Sequence, residues 1–319
     1  MNLSGMTKKR IQTKIAGSRF TLPVTAFIAA LFFAAAYLTG HDIWIPLAGI
    51  ALSTLIMAEW SNSNTLIRIY SSMIPCAYML LSMMSTAYYV SLSGFLIQLC
   101  FIIMLYCLCR TYQDHTATGW TFYGFFAIGI ASTLFVQILF FVPLLWILLF
   151  TKLQAGSLRC FVASLLGLIT PYWFVAAWLL YTGNTDFFVD HFTAIAHFEP
   201  LANVEHADTK MLLSFSFILI LSLTGIVHFL RKKHYDKIRT QMLYEALIIL
   251  DIFTIVFLVL QPQHADCLLR IFTITTAPLI GHFLALTHTK ITNIAFIVIV
   301  LLTFALTAVN LWIPLPTFS

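Results

Sequence analysis

Charge is what this sequence has least of. Only 9% of its 319 residues are Asp, Glu, Lys or Arg, against about a quarter in soluble domains, so an ordinary water-soluble globule is excluded. The signatures of soluble nucleotide and hydrolytic chemistry are missing as well. No glycine loop that would cradle a phosphate is present, no catalytic-serine elbow and no HExxH pair. The six cysteines (Cys76, Cys100, Cys107, Cys109, Cys160 and Cys267) fall within or beside apolar runs and form no disulfide framework. Cys107 and Cys109 have neither the spacing nor the partners of a zinc site. The net charge of +5 is divided among short loops rather than gathered on a surface, so no nucleic-acid partner is expected.

What remains is apolar. Hydrophobic residues make up 61% of the chain and the mean hydropathy is +0.94, which predicts an all-α, polytopic transmembrane bundle. The stretch from Phe122 to Phe150, FYGFFAIGIASTLFVQILFFVPLLWILLF, sets its layout. As one helix it would rise about 43 Å, well beyond the roughly 30 Å hydrocarbon core of a bilayer. Arg110 lies before it and Lys152 and Arg159 after it, and basic loops collect on the cytoplasmic side. The stretch therefore reads as two short spans or a hairpin, bending near Gln137 and Pro143, where proline removes a helix hydrogen bond.

With that hairpin in place, about 11 spans follow, and the N-terminus is cytoplasmic. Residues 1–20 form a basic cytoplasmic segment, and residues 21–319 a single transmembrane domain with a long outer loop at 182–210 and a basic inner loop at 231–240. The spans are expected at about 21–38, 44–60, 69–88 and 90–109, then two within the hairpin, then 160–181, 211–230, 241–260, 270–286 and 291–312. All Lys and Arg except Lys210 and Arg270 then face the cytoplasm. A bacterial inner (cytoplasmic) membrane is the expected location.

Two polar regions carry possible chemistry. On a helical wheel Asp186, Asp190 and His197 share one face of the outer loop, with Phe188, Phe192 and Ile195 opposite. Such a helix would lie on the membrane surface, with Asp186 or Asp190 acting as a general base or holding a divalent cation on a lipid phosphate. An amphipathic loop helix without chemistry fits the same pattern. The second region is Asp251, in mid-span within LIILDIFTI. A charge at that depth costs roughly 2.5–3.5 kcal/mol on insertion scales and normally faces a partner or water. His282 in the next span is the expected partner. Ion coupling and a plain interhelical hydrogen bond are both open. Gly124, Gly129 and Ala131 are expected to let helices approach closely.

CRTYQ, GFFAIGIASTLFVQILFFVPLLWILLF, SLLGLITPYWFVAAWLLYTGN and QPQHADCLLRIFTITTAPLIGHFLA together resemble an uncharacterised multi-pass inner-membrane family of Bacteroidota. More distantly, the succession of a glycine-containing helix, a proline-containing helix, a short basic loop and another proline-containing span resembles the membrane module of GT-C type glycosyltransferases, which use polyprenyl-phosphate-linked substrates. That resemblance implies a catalytic carboxylate in the first outer loop, at Asp42, although the loop here is only a few residues long. Three functions follow as expectations. The first is handling of a lipid-linked or glycan-type substrate at the outer face, with Asp42, Asp186, Asp190 and His197 as site residues and membrane lipid or a polyprenyl-phosphate-linked molecule as partner. The second is a transporter centred on Asp251 and His282. The third is a structural subunit bound to other envelope proteins.

Overall fold

The computed structural model describes residues 10–40, 44–86, 91–183, 186–196 and 209–312. Among these, regular structure is entirely helical, as the apolar environment requires: without water, only a helix or a closed barrel pairs every backbone group. The helices are α1 (Ile11–Ala16), α2 (Thr21–Leu38), α3 (Trp44–Ser63), α4 (Met73–Thr86), α5 (Leu92–Arg110), α6 (Thr118–Leu134) and α7 (Phe141–Thr151), followed by α8 (Leu158–Thr182), α9 (Asp186–Thr193), α10 (Thr209–Lys232), α11 (Ile238–Leu260), α12 (Ala265–Leu286) and α13 (Lys290–Trp312). Among the described residues eight segments are long and apolar enough to cross a membrane: α2, α3, α5, α8, α10 with the turn after it, α11, α12 with the turn before it, and α13. The molecule is thus a multi-pass membrane protein.

Contacts between distant loops define two ends. At one, Arg239 donates to Asn64 Oδ1 (2.9 Å) and the Cys109 carbonyl (3.2 Å), the Gln113 amide to the Leu153 carbonyl (2.8 Å), and Gln12 Nε2 to the Leu284 carbonyl (2.7 Å). Glu245 pairs there with both Lys152 (2.6 Å) and Lys233 (2.8 Å). This is the basic end. At the opposite end Trp312 Nε1 donates to Thr39 (2.9 Å), Asn310 Nδ2 to the Met84 carbonyl (3.0 Å), and Lys210 Nζ to the Asn310 carbonyl (3.0 Å).

The 122–150 stretch is broken into two arms, as its length and flanks predict. Leu153 and Ser157 return beside Gln113 and His115, so both ends of the stretch lie at the basic end. The break falls at Phe135 (φ −144°, ψ 93°), and a 3-10 turn over Val136–Phe140, which includes Gln137, leads into α7. Pro143 does not make the bend. It sits in the first turn of α7, where its missing N–H costs little. With its 3-10 lead, α7 is only about 26 Å long.

Small residues set the closest approaches. A methyl at Gly129 would stand 2.8 Å from the Leu168 carbonyl and 2.9 Å from Pro171 Cγ, and one at Gly225 2.7 Å from the Leu279 backbone. These glycines join α6 to α8 and α10 to α12. Around them α12 forms the axis, every residue from Leu268 to Ala285 being buried. The N-terminal segment is not simply a basic leader. Its helix α1 docks under α12 and α13, burying Gln12 and Ala16, with the Gln12 amide on Asn293 Oδ1 (3.0 Å) and Gln12 Nε2 on Thr287 (2.9 Å).

Candidate functional site

Asp251 is fully buried halfway along α11. Three hydroxyls from two neighbouring helices converge on it. Thr275 donates to Oδ1 at 2.7 Å and Thr276 to the same oxygen at 3.0 Å, while Ser222 of α10 donates to Oδ2. One carboxylate thus ties α10, α11 and α12 together at a depth where an unpaired charge would be excluded. Pro278, inside α12, has no N–H to offer the Ile274 carbonyl four residues back. A backbone oxygen next in sequence to Thr275 is therefore without its helical donor. Carboxylate, hydroxyl and carbonyl oxygens are the ligand types preferred by protons and hard cations.

His282 is not the partner of Asp251. Its Nε2–H donates to Asp236 Oδ2 at 3.1 Å, because the short turn after α10 (Lys233–Tyr235) folds Asp236 back against the end of α12. Both side chains are buried, at 0% and 2% exposure. The ring of His282 lies 5.0 Å from that of Tyr244 and 5.5 Å from that of His228, and the Tyr244 hydroxyl donates to the Pro278 carbonyl (3.3 Å). Polar groups thus line the α11–α12 contact from the basic end to mid-bundle: Asp236, His282, Tyr244, then the Asp251 cluster. Three atoms here have no hydrogen-bond partner among the described residues, namely Asp236 Oδ1, His282 Nδ1 and His228 Nε2.

Toward the opposite end α12 carries a further polar group that sequence reasoning placed at the membrane boundary. Arg270 is buried. Its Nε donates to Asp266 Oδ1 (2.8 Å), an i,i+4 pair, and its guanidinium lies 4.2 Å from the centre of the Phe95 ring. Arg270 also reaches Gln98 Oε1 (3.4 Å), and Gln98 Nε2 donates onward to Ser53 (3.1 Å) and to the Tyr78 hydroxyl. Ser91 completes the cluster, donating to Asp266 Oδ2 (2.8 Å) and capping α5 by accepting from the Gly94 amide. The Asp266–Arg270 spacing was the available signal, since opposite charges four apart on a helix face one another.

The expected outer-face acids are only partly described. Asp42 and His197 lie outside the described residues. Asp186 opens α9, without a described side chain. Asp190 is exposed, whereas Phe192 packs on Tyr172 of α8 (5.5 Å between centres) and His191 Nε2 contacts the Ser132 carbonyl (3.0 Å). Among the described residues no group of three His, Cys, Asp or Glu is placed to hold a metal, and all six cysteines are free. Comparison with protein-family models, with curated proteins and with solved structures finds no match, so the site is read from its own chemistry.

Proposed function

We propose that the protein is an ion-coupled carrier of a bacterial inner membrane, with eleven spans and a cytoplasmic N-terminus, in which Asp251 is the group that takes up and releases a proton or a monovalent cation. The observation that carries this reading is the shared carboxylate: three hydroxyls from α10 and α12 surround Asp251, and α12 carries Pro278 within it. An intramembrane acid held in this way is a functional site by default. On this reading a proton leaving Asp251 for the basic end would pass Tyr244 and His282, which lie between it and Asp236. Eleven helical segments, α2 to α8 and α10 to α13, run between the two ends, and the basic loops gather at one of them, which supports the eleven-span layout.

The test uses proteoliposomes carrying a pH-sensitive dye, challenged in turn with an imposed proton gradient and an imposed sodium gradient. Asp251→Asn keeps the side-chain shape while removing its charge. Loss of flux at unchanged melting temperature supports the carrier reading. Equal flux in both proteins reduces Asp251 to an interhelical tie.

A second reading, action on a lipid-linked substrate at the outer face, is favoured by α9, whose Phe192 contacts Tyr172 of α8 while Asp190 stays exposed. Mass spectrometry of co-purifying lipids tests it. Enrichment of a polyprenyl phosphate that is lost in Asp190→Asn supports this reading, and bulk phospholipid alone removes it.

A further inference from the structure

Beside the Asp236–His282 pair, at the basic end, a crevice of about 380 Å³ opens between the loop after α3 and the start of α11. That volume suits a small molecule. Its lining is mixed: apolar surface from Ile67, Ile69 and Tyr70 adjoins the polar groups of Arg68, Asp236 and Lys237.

The charges in it are incompletely used. One oxygen of Asp236, Oδ2, accepts from His282, while Oδ1 accepts from nothing described. The nearest cation, Arg68 Nη1, stands 3.9 Å from Oδ1, too far for a hydrogen bond. The side chain of Asp236 is only 2% exposed, and a buried carboxylate oxygen without a donor is destabilising. Arg68 and Lys237 are exposed on the same crevice. The lining therefore presents a carboxylate oxygen short of a hydrogen-bond donor, an Arg68 that pairs with it only at 3.9 Å, a second exposed cation in Lys237, and hydroxyls on Ser71 and Thr240.

We infer that this crevice binds a small aminophosphate zwitterion, its ammonium donating to Asp236 Oδ1 and its phosphate held by Arg68 and Lys237. An anion alone would leave Asp236 Oδ1 bare and meet its negative charge. A simple amine would take Asp236 from Arg68 and add a third positive charge to the crevice. An ammonium a few bonds from a phosphate answers both, through charge-assisted hydrogen bonds. The chemistry is shared by the ethanolamine phosphate headgroup of a membrane lipid and by soluble aminophosphates. This inference does not rest on ion coupling at Asp251.

The experiment is calorimetric titration of O-phosphoethanolamine into the full-length protein in nanodiscs of phosphatidylglycerol, which lack the ethanolamine headgroup. Saturable binding is expected, weakened about tenfold or more in Lys237→Gln and in Arg68→Gln through loss of a charge-assisted contact. Asp236→Asn should abolish it. Because Asp236 also holds His282, the exposed Lys237→Gln keeps the test valid if that variant misfolds. Phosphocholine carries the same phosphate but no N–H, so it should compete poorly. Repeating the titration in phosphatidylethanolamine nanodiscs separates the sources, both compatible with the inference: suppressed binding identifies the lipid headgroup, and unchanged binding a soluble ligand. Equal competition by phosphocholine or inorganic phosphate, unchanged affinity in Lys237→Gln, or no saturable binding would overturn the inference.

Discussion

The hydroxyl cluster on Asp251 makes a prediction about coupling that can be worked out in numbers. Thr275→Val and Thr276→Val each remove one donor to Oδ1 while keeping the side-chain volume. A hydrogen bond to a charged group contributes about 1.5–3 kcal/mol in soluble proteins, whereas interhelical bonds in a bilayer average about 0.6 and reach about 1.7. With one donor left on Oδ1, each single variant should lose about 1 kcal/mol, since the remaining bond partly compensates. The double variant leaves Oδ1 bare in a buried site and should lose about 3–5 kcal/mol, more than the two singles together. In an Asp251→Leu background the same changes should have effects within about 0.5 kcal/mol of zero, because the carboxylate is gone and Thr275 keeps only bonds to carbonyls of its own helix. Reversible unfolding in bicelles, followed by steric trapping, measures each corner of the cycle. Additive losses that persist in the Asp251→Leu background would refute the assignment of these hydroxyls to the carboxylate.

Four further outcomes are expected. Gly225→Ala should cost about 1–3 kcal/mol in a melting experiment, because its methyl meets the Leu279 backbone at 2.7 Å. Gly124→Ala meets only side-chain atoms at 3.4 Å, so it should be neutral or stabilising by up to about 1 kcal/mol from helix propensity. Glu245→Gln, which removes two ion pairs at a partly exposed site, should lower stability by about 1 kcal/mol at low salt, and the deficit should shrink toward zero as ionic strength rises. With the natural cysteines replaced, Lys152→Cys and Lys237→Cys should react with an impermeant maleimide from the same side of sealed vesicles, and Thr39→Cys and Gly183→Cys from the other; any exchange between these sets breaks the eleven-span layout.

The helix positions were legible because apolar length and basic loops are local quantities. The expected span at 21–38 coincides with α2, and that at 291–312 falls within one residue of α13. The hairpin was legible from Arg110, Lys152 and Arg159, although Pro143 was misread: a proline signals a break only in a helix interior, and the chain here turns eight residues earlier, at Phe135. The site was less legible. Ser and Thr in membrane helices ordinarily bond the carbonyl one turn back, as Thr224 and Thr254 do, so nothing local marks Ser222, Thr275 and Thr276 as partners of Asp251. His282 was assigned to Asp251 by depth along the span. The turn that carries Asp236 back to it is a tertiary event, as is the docking of α1 beneath α12, and periodicity carries no trace of either.

The burial of α12 on all sides has a consequence for biogenesis. Nine long helical segments, α2 to α8, α10 and α11, precede the axis helix in the chain and leave the ribosome before the segment they enclose. Until it arrives, Gly225 faces no partner backbone, Gln98 lacks Arg270, and Asp251 has Ser222 alone. The nascent protein must therefore pass through a state with polar groups open to lipid and a vacant central groove, the kind of species that insertases shelter and membrane proteases remove. Closure is a late, single event, and substitutions in α12 should act on yield before they act on any activity of the finished molecule.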